Sequence, residues 1–222
     1  MTHGMSDEEE NYLSQRLAMV ELQLRQRGIC HPKILAAFAE VPRHLFIPPE
    51  RQGEAYADYP VPIGYGQTIS QPYVVALMVQ ELDPSPEHTV LDVGAGSGYQ
   101  TAILARLARH VYAVERITEL SRRAAGALAA LSVTNVTVST LDGSLGWPEQ
   151  APFDRIICGA AGPEVPQPWI DQLSDGGRIV LPVGGAGVQS LWVVDKHGGK
   201  VRNRDICDVR FVRLIGKFAW PD

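Results

Sequence analysis

The sequence is poor in three things, and each shortage removes a class of function. Its three cysteines, Cys30, Cys158 and Cys207, are too few and too scattered for a disulfide framework, and no CxxC or Cys/His cluster suggests zinc. No run of lysine or arginine occurs, and 20 basic against 25 acidic residues leave a net charge of −5. That balance argues against a broad electrostatic grip on nucleic acid. No stretch approaches the roughly 18 apolar residues of a membrane span, and the opening MTHGMSDEEENYL lacks the basic flank and apolar run of a signal peptide. The expectation is a metal-free protein of the reducing cytoplasm, bound neither to membrane nor to nucleic acid.

What is present suits a folded chain: 45% hydrophobic and 20% charged residues are ordinary globular values, and 222 residues can bury a core without staples. Helical spacing of Leu13, Leu17, Val20 and Leu24 predicts a helix over 8–26, stopped by Gly28, and a second follows over 32–40. Residues 43–71 are rich in Pro, Gly and Tyr without a period, and a loop that long is usually functional or disordered. Ser70-Gln71-Pro72 then reads as a helix start with Ser70 as its cap. From His88 on, strands over 89–93, 110–114, 133–140, 154–158 and 178–183 alternate with helices over 99–107, 118–131 and 167–173. A late antiparallel pair, 188–195 and 200–214, turns at His197-Gly198-Gly199. This is an α/β pattern: a mostly parallel sheet with helices on both faces, a helical N-terminal cap and an antiparallel C-terminal hairpin. A single domain over 1–222 is expected, with 1–85 as cap and substrate loop, 86–195 as cofactor core and 196–222 as terminal strand and tail.

The string VLDVGAGSGYQ sets Gly94, Gly96 and Gly98 between the first core strand and its helix, where glycine permits a sharp turn and close approach of a ligand. Glu115 closes the next strand, placed to accept both hydroxyls of a ribose. A dinucleotide site wants G-x-G-x-x-G with a pyrophosphate on the helix start; here the third glycine comes one position early and Tyr99 takes its place. Asp92, just before the turn, would repel a pyrophosphate, whereas S-adenosylmethionine carries a sulfonium and an ammonium and suits acidic neighbours. Asp142-Gly143, after the third core strand, offers a carboxylate for an adenine amino group. The pattern favours S-adenosylmethionine over NAD. Taken singly, the Gly-rich turn could be a tight connection and Glu115 a solvated strand end.

The stretch AYADYPVPIGYGQTISQPYVVALM, followed by VLDVGAGSGYQTAILA, resembles the protein-L-isoaspartate O-methyltransferase family. QLRQRGI, VPRHLFIP, APFDRII, QLSDGGRIVLPVG and VRFV extend the resemblance from about Leu17 to Leu214, and GQTIS followed by proline is its most specific part. The resemblance implies a Rossmann-like, seven-stranded S-adenosylmethionine methyltransferase fold and a monomer. It implies methylation of the free α-carboxylate of L-isoaspartyl residues in aged proteins and peptides, with S-adenosylhomocysteine as the other product. The ester then closes spontaneously to a succinimide that partly reopens as aspartate, which initiates repair. It further implies that Ser70 is catalytic, that Gln67, Thr68, Ile69, Ser70 and Gln100 join Asp92, the three glycines, Glu115, Asp142 and Gly143 around the cofactor, and that Ile63, Thr68, Ser70 and Val212 meet the substrate.

A carboxylate with a reference pKa of about 3.5 to 4 is already ionised at pH 7, so the reaction needs no general base, and none stands near GQTIS. A hydroxyl at Ser70 can orient the acceptor by hydrogen bonding, although an ordinary N-cap is an equal reading of its local sequence. Arg43 and His44 could touch a substrate carboxylate or be structural; Tyr56 and Asp58 would order the long loop; Cys158 reads as a small buried residue. Three positions depart from the family pattern. Leu141 replaces a glycine before Asp142, Gly159 replaces a threonine, and Arg213 replaces a proline in the segment that encloses substrate, where it is expected to bear on substrate choice. Two other readings stay open: a relative that methylates aspartate in a peptide, and a non-catalytic S-adenosylmethionine-binding adaptor.

Overall fold

Residues 6–222 are described by the structure, a computed structural model. Helix α1 (Asp7–Ala18) opens on a capping box between Ser6 and Glu9, a pairing that satisfies two otherwise orphaned amides. It continues through a π-turn (Met19–Leu24) and a 3-10 turn (Arg25–Arg27) to Gly28, whose φ of 93° ends it. Helix α2 (Pro32–Glu40) follows as expected.

The 43–71 stretch is more ordered than its composition suggests. It holds 3-10 turns at Arg43–Phe46 and Pro49–Glu54 and a hairpin of β1 (Val61–Gly64) and β2 (Gln67–Ile69). The strands are too short and too interrupted by Pro62, Gly64 and a register shift to leave a visible alternation. The two turn residues, Tyr65 and Gly66, have φ of 55° and 69°, the positive pair that a two-residue hairpin turn demands. Tyr56 and Asp58 do order this stretch: Asp58 pairs with Arg27 and accepts from Gln71, and the Tyr56 carbonyl accepts from Gln23. Helix α3 (Pro72–Leu82) is capped at Gln71 with no side-chain bond. Ser70 therefore is not the N-cap; it lies one residue too early.

The core alternates as the sequence implies: β3 (Thr89–Val93), α4 (Tyr99–Ala105), β4 (His110–Glu115), α5 (Thr118–Ala130), β5 (Val136–Thr140), β6 (Phe153–Cys158), α6 (Gln167–Gln172), β7 (Leu173–Val183), β8 (Gln189–His197) and β9 (Lys200–Val209). The seven-stranded sheet runs β5-β4-β3-β6-β7-β8-β9, parallel through β7 and antiparallel beyond. Gly198 and Gly199, both at positive φ, make the β8–β9 turn. β8 runs two residues past the expected core boundary at 195, so hairpin and core share one sheet. β5 starts late because Asn135 is held by the carbonyls of Ala105 and Ala108. β9 ends at Val209 rather than 214 because Phe211 N turns to Gln189 Oε1 and the following chain bridges to Ala161.

Alternation along the strands divides the core. Val90, Val111, Ile157 and Val180 face α3, α4, α5 and the N-terminal helices, while Leu91, Val93, Ile156 and Ile179 face Trp169 of α6 and Leu214. Trp169 is fully buried and its indole N–H donates to the Gly143 carbonyl at 2.9 Å. Trp169→Phe keeps an aromatic ring but strands that buried carbonyl, which costs about 2 kcal/mol. Urea unfolding should show the midpoint falling by that equivalent with an unchanged slope; an unchanged midpoint would mean the bond contributes nothing.

Candidate active site

β3 is hydrogen-bonded to β4 on one side and β6 on the other, so the connections above it diverge and leave a crevice at its carboxyl end. Gly94 N and Ala95 N both donate to the Val114 carbonyl, and Gly159 N donates to that of Val93, which stitches the three strand ends into one rim. Gly94, Gly96 and Gly98 all take positive φ. At Gly98 a Cβ would lie 3.1 Å from Ala124 Cβ and 3.2 Å from its Cα, so this glycine also admits α5 against the turn.

The two acids here are fixed by different partners. Asp92 is completely buried; Gln100 Nε2 donates to Oδ1 at 2.7 Å and Thr101 Oγ1 to Oδ2 at 2.6 Å. Burial pushes its pKa up to about 6 against the pull of those two bonds, with Glu115 adding to the rise. Glu115 accepts from Gly96 N through one oxygen and from Ile117 N through the other, each at 2.9 Å. Each oxygen keeps a lone pair free, as a diol acceptor requires.

Gln67, Thr68, Gly94, Gly96, Glu115 and Gly143 line the crevice together with Ile117, Gly159, Ala160 and the 212–215 segment. A second, larger cleft of about 610 Å³ lies alongside, lined by Thr68, Ser70, Gln71, Val188, Arg210 and Val212 among others. Thr68, Gly159 and Val212 border both. Ile69, Ser70 and Gln100 border a small hollow between the turn and β2. Most of the sequence-based set borders these three spaces, with four exceptions: Asp92, fully buried, and Gly98 line none of them, and Ile63 and Asp142 lie elsewhere. Ile63 points inward on β1, buried beside Gly96, and lines a groove on the far side rather than the cleft; the pleat that turns Thr68 outward turns Ile63 in. Asp142 faces the adjoining cavity, where Oδ1 accepts from Ser144 and Oδ2 from Lys217 N at 2.8 Å. Burial alone would raise its pKa, but these bonds together hold it below the ordinary value.

The 212–219 segment has no counterpart in the sequence-based site set apart from Val212, yet its residues 212–215 wall the crevice. It is tied down by Lys217 N and Phe218 N on Asp142 and Ser144, by the Trp220 indole on the Ala161 carbonyl, and by an Arg116–Asp222 ion pair. A Cβ on Gly216 would collide with Asp142 Oδ1. Arg213 lies 5.5 Å from the Trp220 ring and borders the crevice, while its neighbour Val212 borders both crevice and cleft. The crevice, of about 70 Å³, adjoins at Arg116 and Ile215 the cavity of about 320 Å³ that Asp142 faces.

Arg43 and His44 reach neither crevice nor cleft. Arg43 is buried beneath Ser70, and His44 stacks on Tyr12 while its Nδ1 meets the Tyr56 hydroxyl. Cys158 is buried, donates to the Ala160 carbonyl, and has its pKa pushed up to about 12 by burial, which makes it inert as a nucleophile. Among the described residues no three His, Cys, Asp or Glu side chains are grouped to hold a metal.

A family model described as protein-L-isoaspartate(D-aspartate) O-methyltransferase matches residues 14–219. The chain belongs to the protein-L-isoaspartate O-methyltransferase family. A relative of that name from Methanoregula boonei is 54% identical over 94% of this chain and 96% of its own. Another from Desulfosudis oleivorans is 47% identical over 98% and 99%. Among solved structures, a Plasmodium falciparum protein described as a member of the family, in complex with S-adenosyl-L-homocysteine, superimposes with a TM-score of 0.80 at 26% identity, covering 90% of this chain and 98% of that one. The resemblance carried by GQTIS and the Gly-rich turn is therefore a family relationship along nearly the whole chain, and the Rossmann-like methyltransferase fold is the observed one.

Asp92 gives the site a pH signature. Its folded pKa of about 6 exceeds the unfolded 3.8, so the folded protein holds this proton longer, and its contribution to stability falls as pH rises between those values. Asp92→Asn removes the titration. Relative to wild type without cofactor, the variant should gain up to about 3 kcal/mol across pH 4 to 6 and nothing further above. Urea midpoints of both proteins between pH 4 and 7 check this; a gap that does not change with pH would refute it.

Proposed function

We infer that the chain transfers the methyl group of S-adenosylmethionine to the free α-carboxylate of L-isoaspartyl residues in proteins and peptides, and so starts their repair. The family relationship supports the reaction, and one observation supports the layout: the acid-bordered crevice and the open cleft meet at Thr68, Gly159 and Val212. A cofactor in the first and a peptide in the second would face each other across that seam.

The donor set fits the cofactor. Glu115 would accept the ribose hydroxyls, Gln100 would face the cationic end with the fully buried Asp92 held behind it, and Gly94 and Gly96 leave the backbone bare for close approach. Asp142 would serve an adenine amino group only by sharing oxygens already given to Ser144 and Lys217. When bound, S-adenosylmethionine supplies an electrophilic methyl on a positive sulfur. Everything else falls to the protein. The acceptor carboxylate needs no deprotonation at neutral pH, and the only titratable residues lining the cleft, Asp208 and Arg210, are not needed as a base. Thr68 and Ser70 would orient the carboxylate. Apolar Val212 and Val188 would help exclude water, which favours a step in which opposite charges cancel. Alignment is the larger gain, worth about 7 to 11 kcal/mol in well-oriented reactions.

The 610 Å³ cleft admits a peptide segment, which suits a protein substrate. One chain lines both crevice and cleft, so a monomer suffices. Cys30 and Cys207 are exposed and free, which suits a reducing compartment such as the cytoplasm, and no helix of the described residues is long and apolar enough to cross a membrane.

Labelled methyl transfer to an isoaspartyl peptide and its aspartyl twin tests the reaction: label should appear as a base-labile ester on the isoaspartyl form. Equal labelling of the twin would move the assignment to another carboxylate, and no labelling of either would remove the activity. Ser70→Ala should lower kcat about 10- to 100-fold, the worth of one hydrogen bond to a charged group, with S-adenosylhomocysteine affinity within about threefold. Unchanged turnover would take Ser70 out of the mechanism.

A further inference from the structure

Arg43 carries a full charge with no exposure to solvent and no carboxylate partner among the ion pairs of the described residues. Burying such a group is expensive, and the expense shows as a pKa pulled down to about 10 by desolvation. An apolar side chain of similar volume would fill the space at lower cost, so packing alone does not account for an arginine here. Its bonds do. Nε donates to the Ala55 carbonyl at 2.7 Å and Nη2 to the Ser70 carbonyl at 2.8 Å. The guanidinium carbon stands 4.8 Å from the centroid of the Tyr99 ring.

Ala55 and Ser70 bracket the segment that contains the β1–β2 hairpin and Thr68. Tyr99 is the first residue of α4, directly after the Gly-rich turn. One planar side chain therefore closes the base of the segment that lines the cleft and rests it on the helix that leads from the crevice. A guanidinium can hold two carbonyls in divergent directions and lie on an aromatic face at once; an ammonium on a flexible stem cannot do all three.

We propose that Arg43 is a positioning residue for methyl transfer, setting the Thr68–Ser70 wall at its working distance from the cofactor crevice by clamping the Ala55 and Ser70 carbonyls above the Tyr99 ring. The proposal rests on the reading of Ser70 as the residue that orients the acceptor, and Arg43 acts through it without touching substrate.

The test uses Arg43→Lys and Arg43→Gln, neither of which can span both carbonyls, alone and combined with Ser70→Ala. Binding-competent sites are counted by calorimetric titration with S-adenosylhomocysteine, and kcat and KM for an isoaspartyl peptide are expressed per site, well below each variant's melting temperature. The expected result is cofactor-product affinity within about threefold of wild type and kcat per site lowered at least about 10-fold. In the Ser70→Ala background the same Arg43 change should cost much less, since the group it positions is gone. A wild-type kcat per site, an equal loss in both backgrounds, or failure of both single variants to bind S-adenosylhomocysteine would each overturn the proposal and leave Arg43 as a folding staple. A wild-type kcat for Ser70→Ala alone would instead fell the reading of Ser70, and the clamp would then be judged on kcat per site of the Arg43 variants.

Discussion

β3 is held on one side by β4 and on the other by β6, and parallel connections of one hand must leave those neighbours in opposite directions. The gap that this forces at the carboxyl end of β3 is the constraint on which the rest of the molecule depends. The turn after β3 must be bare enough to border it, so three glycines take positive φ there. Each remaining part of the chain then supplies a wall. The β1–β2 hairpin forms one, Gly159 after β6 another, and the 212–215 segment a third.

The polar groups around the gap are held by the protein itself before any ligand arrives. Both oxygens of Asp92 take side-chain donors, and both oxygens of Glu115 take backbone amides. Such carboxylates do not reorganise when a ligand comes, and preorganisation of this kind is where binding and catalysis draw their strength. Asp142 is spent differently: with Ser144 it anchors the Gly216–Phe218 turn. The acid that the strand pattern assigns to a nucleobase fastens the segment whose residues 212–215 wall the crevice.

Arg43 carries the same economy into the N-terminal part. A buried cation is tolerated where two carbonyls and an aromatic face replace water, and the gain is a fixed relation between segments far apart in sequence. His44, next to it, is stacked on Tyr12, with its pKa lowered first by burial and next by Arg16. Of the two roles open to Arg43 and His44 on sequence, contact with substrate or support of the fold, their contacts fit the second.

The alternation of strands and helices, the glycine turn, the acids Asp92 and Glu115 at successive strands and the kinship carried by GQTIS are legible in the residues alone, because each is written in local pattern: the period of a strand, the φ that only glycine takes freely, the acid at a strand end, a specific short motif. What local spacing does not encode is set by packing between distant segments. A hairpin with three- and four-residue strands reads as loop because its alternation is too short to detect. Ser70 missed the cap by one residue, a shift finer than propensity resolves. Ile63 turned into the core because pairing register sets which way a pleat faces. The role of the 212–219 segment came from contacts to Ala161, Asp142 and Ser144, more than fifty residues away, and no pattern within the segment could announce partners so distant.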